Sequence, residues 1–337
     1  MPEENFNSLL FTGDGVDGRA ITGVGFQPDW VWFKKRDAVG APTLLDSVRG
    51  AGSFLESNNT GAEDTTTAAL DSFDSDGFTV TDYANTNQNT KTFVVWNWKA
   101  GTTNSGSTSG SGTAKTYSSS TSETAGFSVI KYVGNGTSGH QIPHHMGGAP
   151  QCLIAKNLDR ASGGGSDWHI WHTGFKTQDK YIWLNHSNPA YGSVNYFKAV
   201  SSTTFSLGTD TSINANDEDI ICYAFTGIEG YSKVGSYEGN NNANGTFIYT
   251  GFKPAFLIYK NIDATADWGM VDNKRSPYNI LTKYLAANEN AAEITNSFGD
   301  FTSNGIKMRN TYGGANASNT YIYLAFAESP FKTSNAR

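Results

Sequence analysis

Six histidines crowd the middle third of a 337-residue chain: His140, His144, His145, His169, His172 and His186. Such a cluster is the first place to look for zinc, nickel or copper ligands. The pattern argues against it. No HExxH signature and no set of cysteine ligands accompanies the histidines, and His140 and His144 flank the apolar Ile142 at strand-like spacing. Polar packing is expected, with no metal and no cofactor. Asp71, Asp74 and Asp76 ahead of Gly77 loosely resemble a calcium loop, but the twelve-residue spacing and terminal Glu are missing. A hairpin turn is expected there.

Trp168-His169-Ile170-Trp171-His172 is matched a hundred residues later by Trp268-Gly269-Met270-Val271-Asp272. Exposed rings beside polar groups stack on the C–H face of a sugar. Trp168, Trp171, His172, Trp268 and Asp272 are therefore candidate glycan contacts, although alternate residues of a buried strand would read identically. Enzyme signatures are missing: no GxSxG elbow, no P-loop, no glycine-rich dinucleotide turn. No catalytic residue is nominated, and no carboxylate pair for glycoside hydrolysis stands out. Cys152 and Cys222 lie in apolar runs and read as buried free thiols; a disulfide would require their strands to be neighbours.

The elements that must position these residues repeat three times. Gly25-Phe26-Gln27-Pro28 opens an apolar run that ends at Lys34; Pro150 opens a run to Lys156, and Pro254 one to Lys260. An aromatic-x-Gly phrase precedes each, ending at Gly13, Gly134 and Gly239, which lie 15, 16 and 15 residues before the proline. An apolar strand closes each copy 70, 75 and 72 residues after the proline, at Trp98, Phe225 and Phe326. Proline suits a strand start, where no ladder donor is needed. Ser75-Asp76-Gly77 and Ser303-Asn304-Gly305 are hairpin signals. Short helices are expected only at 64–70 and 277–287. The fold class is all-β, with three tandem, divergent antiparallel β-sandwich units of jelly-roll or lectin-like type at 1–100, 126–229 and 230–337. Residues 101–125 are the linker: Ser, Thr and Gly make up 20 of the 26 residues from 101 to 126, and the stretch reads as flexible or loosely draped.

Composition narrows the function. Net charge is −7 with no Lys/Arg block, which disfavours nucleic acid. No apolar run approaches the ~20 residues that span a bilayer, and the polar, acidic start is wrong for a signal peptide, so cytoplasmic synthesis is expected. Charged residues are only 16%, so Asn, Ser, Thr and Gly must carry solubility.

Several phrases resemble a repeat found in marine bacteriophage virion proteins. They are Tyr132-Val133-Gly134-Asn135-Gly136, Pro150 to Asn157, Gly230-Tyr231-Ser232-Lys233-Val234-Gly235, Gly251 to Phe256, Ser276-Pro277-Tyr278-Asn279 and Ala325-Phe326-Ala327-Glu328-Ser329-Pro330. Asp46-Ser47-Val48-Arg49-Gly50 resembles part of the usual first copy. The resemblance implies a structural protein on the virion exterior, assembled in host cytoplasm, with other tail or capsid proteins as partners. It further implies a tail-fibre or tail-associated role with host surface glycan as target, and a homotrimer by analogy. The alternatives are a capsid-decorating protein with assembly as its only task, or a polysaccharide depolymerase. Because the first copy starts by about Phe6, attachment is expected through a sandwich surface, 1–5 or 334–337.

Overall fold

A computed structural model describes residues 5–328. The termini at 1–4 and 334–337, two of the expected attachment points, lie outside the described residues. The fold is all-β, built from several antiparallel sheets. Within each repeat, four strands take the same order. The opening strands are Phe6–Thr12, Phe127–Val133 and Ser232–Glu238. Each pairs with a closing strand: Thr92–Trp98, Asp219–Phe225 or Thr320–Ala327. Next come the proline-led central strands, Trp30–Lys35, Cys152–Asn157 and Pro254–Asn261. Beyond them lie Thr43–Asp46, His169–His172 and Gly269–Asp272, called here the outer strands.

The registers agree. Two residues after each proline, Trp30, Cys152 and Phe256 lie opposite Trp98, Phe225 and Phe326 on one side. On the other side they face Asp46, His172 and Asp272. Pro28, Pro150 and Pro254 therefore hold the same place in their local folds. A second trio of strands recurs as well: Arg19–Thr22, Gly77–Val80 and Leu70–Asp74; His140–Pro143, Thr204–Leu207 and Phe197–Val200; Phe247–Tyr249, Gly305–Met308 and Ile294–Thr302. In the third repeat the strand Leu281–Ala286 joins both sets into one eight-stranded sheet.

The central strands are buried on both faces, which is why their sequences lack a polar alternation. Val31 and Phe33 pack inward on Ile21, Phe78 and Val95 of the same repeat. Trp30 and Trp32 point the other way, into a core shared with the second and third repeats. There the Trp30 ring lies 4.4 Å from Trp98 and 4.3 Å from Tyr223, while Phe256 lies 5.3 Å from Trp96.

The repeats also exchange main-chain hydrogen bonds in a closed cycle. Glu293 N–H donates to Arg36 O at 2.7 Å, Glu63 N–H to Leu158 O at 2.9 Å, and Ala190 N–H to Ile262 O at 2.9 Å. The three acceptors stand two residues beyond Lys34, Lys156 and Lys260. Each repeat thus accepts from one neighbour and donates to the other.

The aromatic-x-Gly phrases have a steric cause. The chain after Gly13, Gly134 and Gly239 turns tightly over Asn87, Asn214 and Asn316, whose Oδ1 atoms accept from Asp14, Asn135 and Asn240 N–H, each at 3.1 Å. A Cβ on Gly134 would stand 2.2 Å from Ala215 O. Gly134→Ala is expected to cost about 2 kcal/mol in denaturant unfolding through overpacking.

Three expectations are corrected. The Ser/Thr/Gly stretch is not draped: Thr102–Ser107 and Thr116–Ser122 extend the second repeat's sheet, with Ser120 opposite Val129 and Thr103. Hydroxyl side chains do not hinder edge pairing, and the added strands cover the edge that the opening strands of the first and third repeats leave open. No helix forms at 64–70, where Asp64 accepts from Thr66 and Thr67 N–H. Nor does one form at 277–287, most of which is the strand Leu281–Ala286. Among the described residues the short α-helices are Ala84–Asn87 and Thr211–Asn214, which carry the pivot Asn87 and Asn214.

Candidate functional site

All five nominated glycan contacts are buried, and none offers a ring face to solvent: Trp168, Trp171, His172, Trp268 and Asp272 are between 0 and 4% exposed. The reason lies in the packing between repeats. Trp168 Nε1 donates to Glu56 O at 3.0 Å in the first repeat, and Trp268 Nε1 to Trp183 O at 2.9 Å in the second. Their main-chain N–H groups are held by Asn185 and Asn288, which in turn bond Asp167 and Asp267. These indoles are anchors between neighbouring repeats.

Asp272 belongs to a buried charged cluster. Arg275 Nε lies 2.6 Å from its carboxylate, Trp96 Nε1 of the first repeat donates to the same carboxylate at 3.2 Å, and Glu293 links Arg275 to Arg36. The first repeat carries the same arrangement. Arg49 Nε lies 2.5 Å from Asp46, Tyr223 of the second repeat donates to Asp46 at 2.8 Å, and Glu63 lies 3.2 Å from Arg49. In the second repeat His172 stands where Asp46 and Asp272 stand, and bonds Tyr323 O of the third at 3.2 Å. Asp-x-x-Arg at matching places was legible in the sequence, but its role was not.

The remaining histidines are accounted for by local partners. His140 lies between Asn214 Oδ1 and Thr108 Oγ1, His144 between Met146 N–H and Ser201 O, and His145 against Tyr117. His169 accepts from Trp183 Nε1, and His186 meets Asp167. Among the described residues no three His, Cys, Asp or Glu side chains gather as metal ligands. Asp74 and Asp76 are engaged by Ser72 and Thr79 hydroxyls and by Gly23 and Gly25 N–H. Cys152 and Cys222 are free and buried on adjacent strands, facing Phe225 and Ala155 rather than each other. Burial holds Lys34, Lys156 and Lys260 down to about 8, and each donates to main-chain carbonyls: Lys34 to Gly40 and Glu289, Lys156 to Asn157 and Arg160, Lys260 to Asn261 and Ser187.

Surface chemistry lies elsewhere. A cleft of about 690 Å³ is lined by Ser47, Thr103, Ser105, Ser118, Ser120 and Lys99, with Asp29 at its base. That carboxylate is spent on Ser47, Ser120 and Ala100 N–H at 2.6–2.7 Å. Exposed aromatics concentrate in the third repeat: Phe247, Tyr249, Tyr278 (83% exposed) and Tyr312, against Tyr191 alone in the second. A small cavity of about 80 Å³ opens beside Tyr312, between Tyr259, Tyr284 and Phe298. The sequence signal for this surface is that Phe247-Ile248-Tyr249 puts rings on both sides of a buried Ile, at a two-residue spacing.

Comparison with characterised proteins gives no match. Comparison with solved structures gives none either. A family profile described as a domain of unknown function, DUF7483, matches residues 1–330. Covering both the seam between repeats and the exposed aromatics of the third, this match places the chain in the DUF7483 family.

Proposed function

We propose that this chain is a passive structural protein of a phage particle, displayed on its exterior, tail-associated, and in contact with host glycan. In this reading it consists of three divergent antiparallel sandwich units, with 101–125 forming part of the second unit's sheet. The observation that carries the reading is the closed cycle of contacts between repeats. Trp30, Tyr223 and Phe256 and their neighbours form one core shared by all three repeats, beside separate cores in the first and the third. Such fusion makes a rigid body from units that would each be near the lower size limit for a core of their own. The polar, weakly charged exterior and the aromatics gathered on one repeat suit adhesion to neutral sugars.

A non-enzymatic role is supported by the cleft at Asp29. Its single carboxylate is saturated with hydrogen bonds, where glycoside hydrolysis needs a pair. A trimer of chains would have to form through surfaces other than the aromatic seam, which is consumed within one chain.

Localisation in an electron-microscopy map of the virion tests the reading directly. Density for this chain on the tail, with binding of the purified protein to host cells, is the expected result. Binding only to capsids would favour decoration. Release of reducing ends from host polysaccharide would establish a depolymerase instead.

A further inference from the structure

The first strand of the second trio carries a buried isoleucine in every repeat, and the residues beside it differ. Ile21, Ile142 and Ile248 lie opposite Phe78, Phe205 and Ile306 and are buried. The residues on either side of each isoleucine point to the opposite face of the strand. They are Ala20 and Thr22 in the first repeat, Gln141 and Pro143 in the second, and Phe247 and Tyr249 in the third. The fold therefore builds this strand without a ring at either position. Phe247 is 45% exposed and Tyr249 63%, so core packing does not account for them.

Both rings lie down on the sheet. Phe247 pairs with Lys307 and Tyr249 with Gly305 on the neighbouring strand. A Cβ on Gly305 would stand 2.6 Å from Phe247 Cζ, so that ring leans diagonally over a residue with no side chain. A Cβ on Gly251 would stand 3.7 Å from the Tyr249 hydroxyl, so the second ring leans along its own chain. With their tips held near the backbone, the rings cover the sheet instead of projecting from it. The charges beside them are already engaged. Asp300 and Lys307 face each other across the next strand pair; Arg309 Nε holds Asp300 at 2.6 Å, and Lys307 Nζ donates to Gly245 O. An ionic ligand would have to compete for these groups, whereas a neutral one displaces only water from the rings.

We propose that Phe247 and Tyr249 bind neighbouring sugars of a neutral, β-1,4-linked glucose-type chain, which rests on the glycan-adhesion reading and gives it a site and a ligand class. Equatorial hydroxyls leave C–H groups on both faces of such a pyranose, and those faces suit the face of an aromatic ring. Residues two apart on a strand are about 7 Å from each other, so one ligand must be straight to cover both rings. A β-1,4 chain is an extended, flat ribbon. An α-1,4 chain curves away after the first contact.

The test is saturation-transfer NMR and titration of the full chain with cellohexaose, using maltohexaose as the comparison. Cellohexaose is expected to bind, with saturation strongest at its ring C–H protons, and maltohexaose to bind about tenfold more weakly. Because the ligand is neutral, about 0.5 M NaCl is expected to leave the affinity unchanged. Phe247→Ala and Tyr249→Ala are each expected to weaken binding about tenfold, and the double variant to abolish it. Both side chains are exposed, so the variants are expected to keep the parent's denaturant midpoint. Equal affinity for the two hexaoses, or undiminished binding by the double variant, overturns the proposal. So does a dimer of the chain that the double variant dissolves, which would give this face to a second copy. Host-cell adhesion that survives the double variant would refute this site and leave the adhesin reading standing. Cellohexaose binding through these rings by a chain absent from the virion would do the reverse.

Discussion

Arg275→Met is expected to destabilise the folded chain by about 3–5 kcal/mol, because it strands a carboxylate in the interior. Arg275 and Asp272 are both fully buried and 2.6 Å apart. The guanidinium also donates to Met270 O at 2.9 Å and lies over the Trp96 ring at 5.5 Å. Methionine keeps much of the volume but supplies no charge. Asp272 would then retain only Trp96 Nε1 and the main-chain N–H of residue 275 as donors. Folded domains typically have 5–15 kcal/mol in hand, so this single change would use a large part of that margin. Adding Asp272→Asn removes the stranded charge, and the double variant is expected to regain at least half the loss. Denaturant midpoints of the two variants decide the matter. A single variant within about 0.5 kcal/mol of the parent would show that the pair does not hold the seam.

Acid is expected to destabilise the folded chain well before most carboxylates titrate. His169 and His172 are both buried, and burial lowers each to about 4. Hydrogen bonding fixes the neutral form. His172 Nδ1 accepts from Gly174 N–H at 2.9 Å, which assigns its proton to Nε2, facing Tyr323 O. His169 Nε2 accepts from Trp183 Nε1, which assigns its proton to Nδ1, facing Asp167 O. Protonating either ring puts N–H against N–H.

The unfolded chain takes up these protons near pH 6.5, whereas the folded chain resists until about pH 4. Stability is therefore full above pH 6.5 and falls as pH drops toward 4. By pH 4.5 each histidine is expected to cost about 2–3 kcal/mol. Urea unfolding at pH 7.5, 6, 5 and 4.5 reads the slope. Glutamine at 172 can accept from Gly174 and donate to Tyr323 without titrating, so His172→Gln is expected to remove about half of the loss. An unchanged slope in that variant would rule out this account.

Triplication within one chain changes what each copy must supply. Asp46–Arg49 and Asp272–Arg275 recur, yet the group that meets them from the neighbour is Tyr223 in one case and Trp96 in the other. At the third junction Leu324 offers no polar atom, and His172 bonds the backbone of Tyr323 instead. A homotrimer would require three identical junctions. A tandem chain allows each junction its own chemistry.

The sequence alone determined the period, the place of each proline, the apolar central and closing strands, and the hairpins at Ser75-Asp76 and Ser303-Asn304. These depend on local turn chemistry and on the apolarity of short runs, both carried by neighbouring residues. Only the tertiary structure decided which face of those runs meets what. A strand buried on both sides has no polar alternation to mark its outside, so Trp168 and Trp268 read equally well as exposed platforms or as anchors. The fate of 101–125 was hidden for a related reason: edge pairing uses backbone groups that every Ser and Thr possesses.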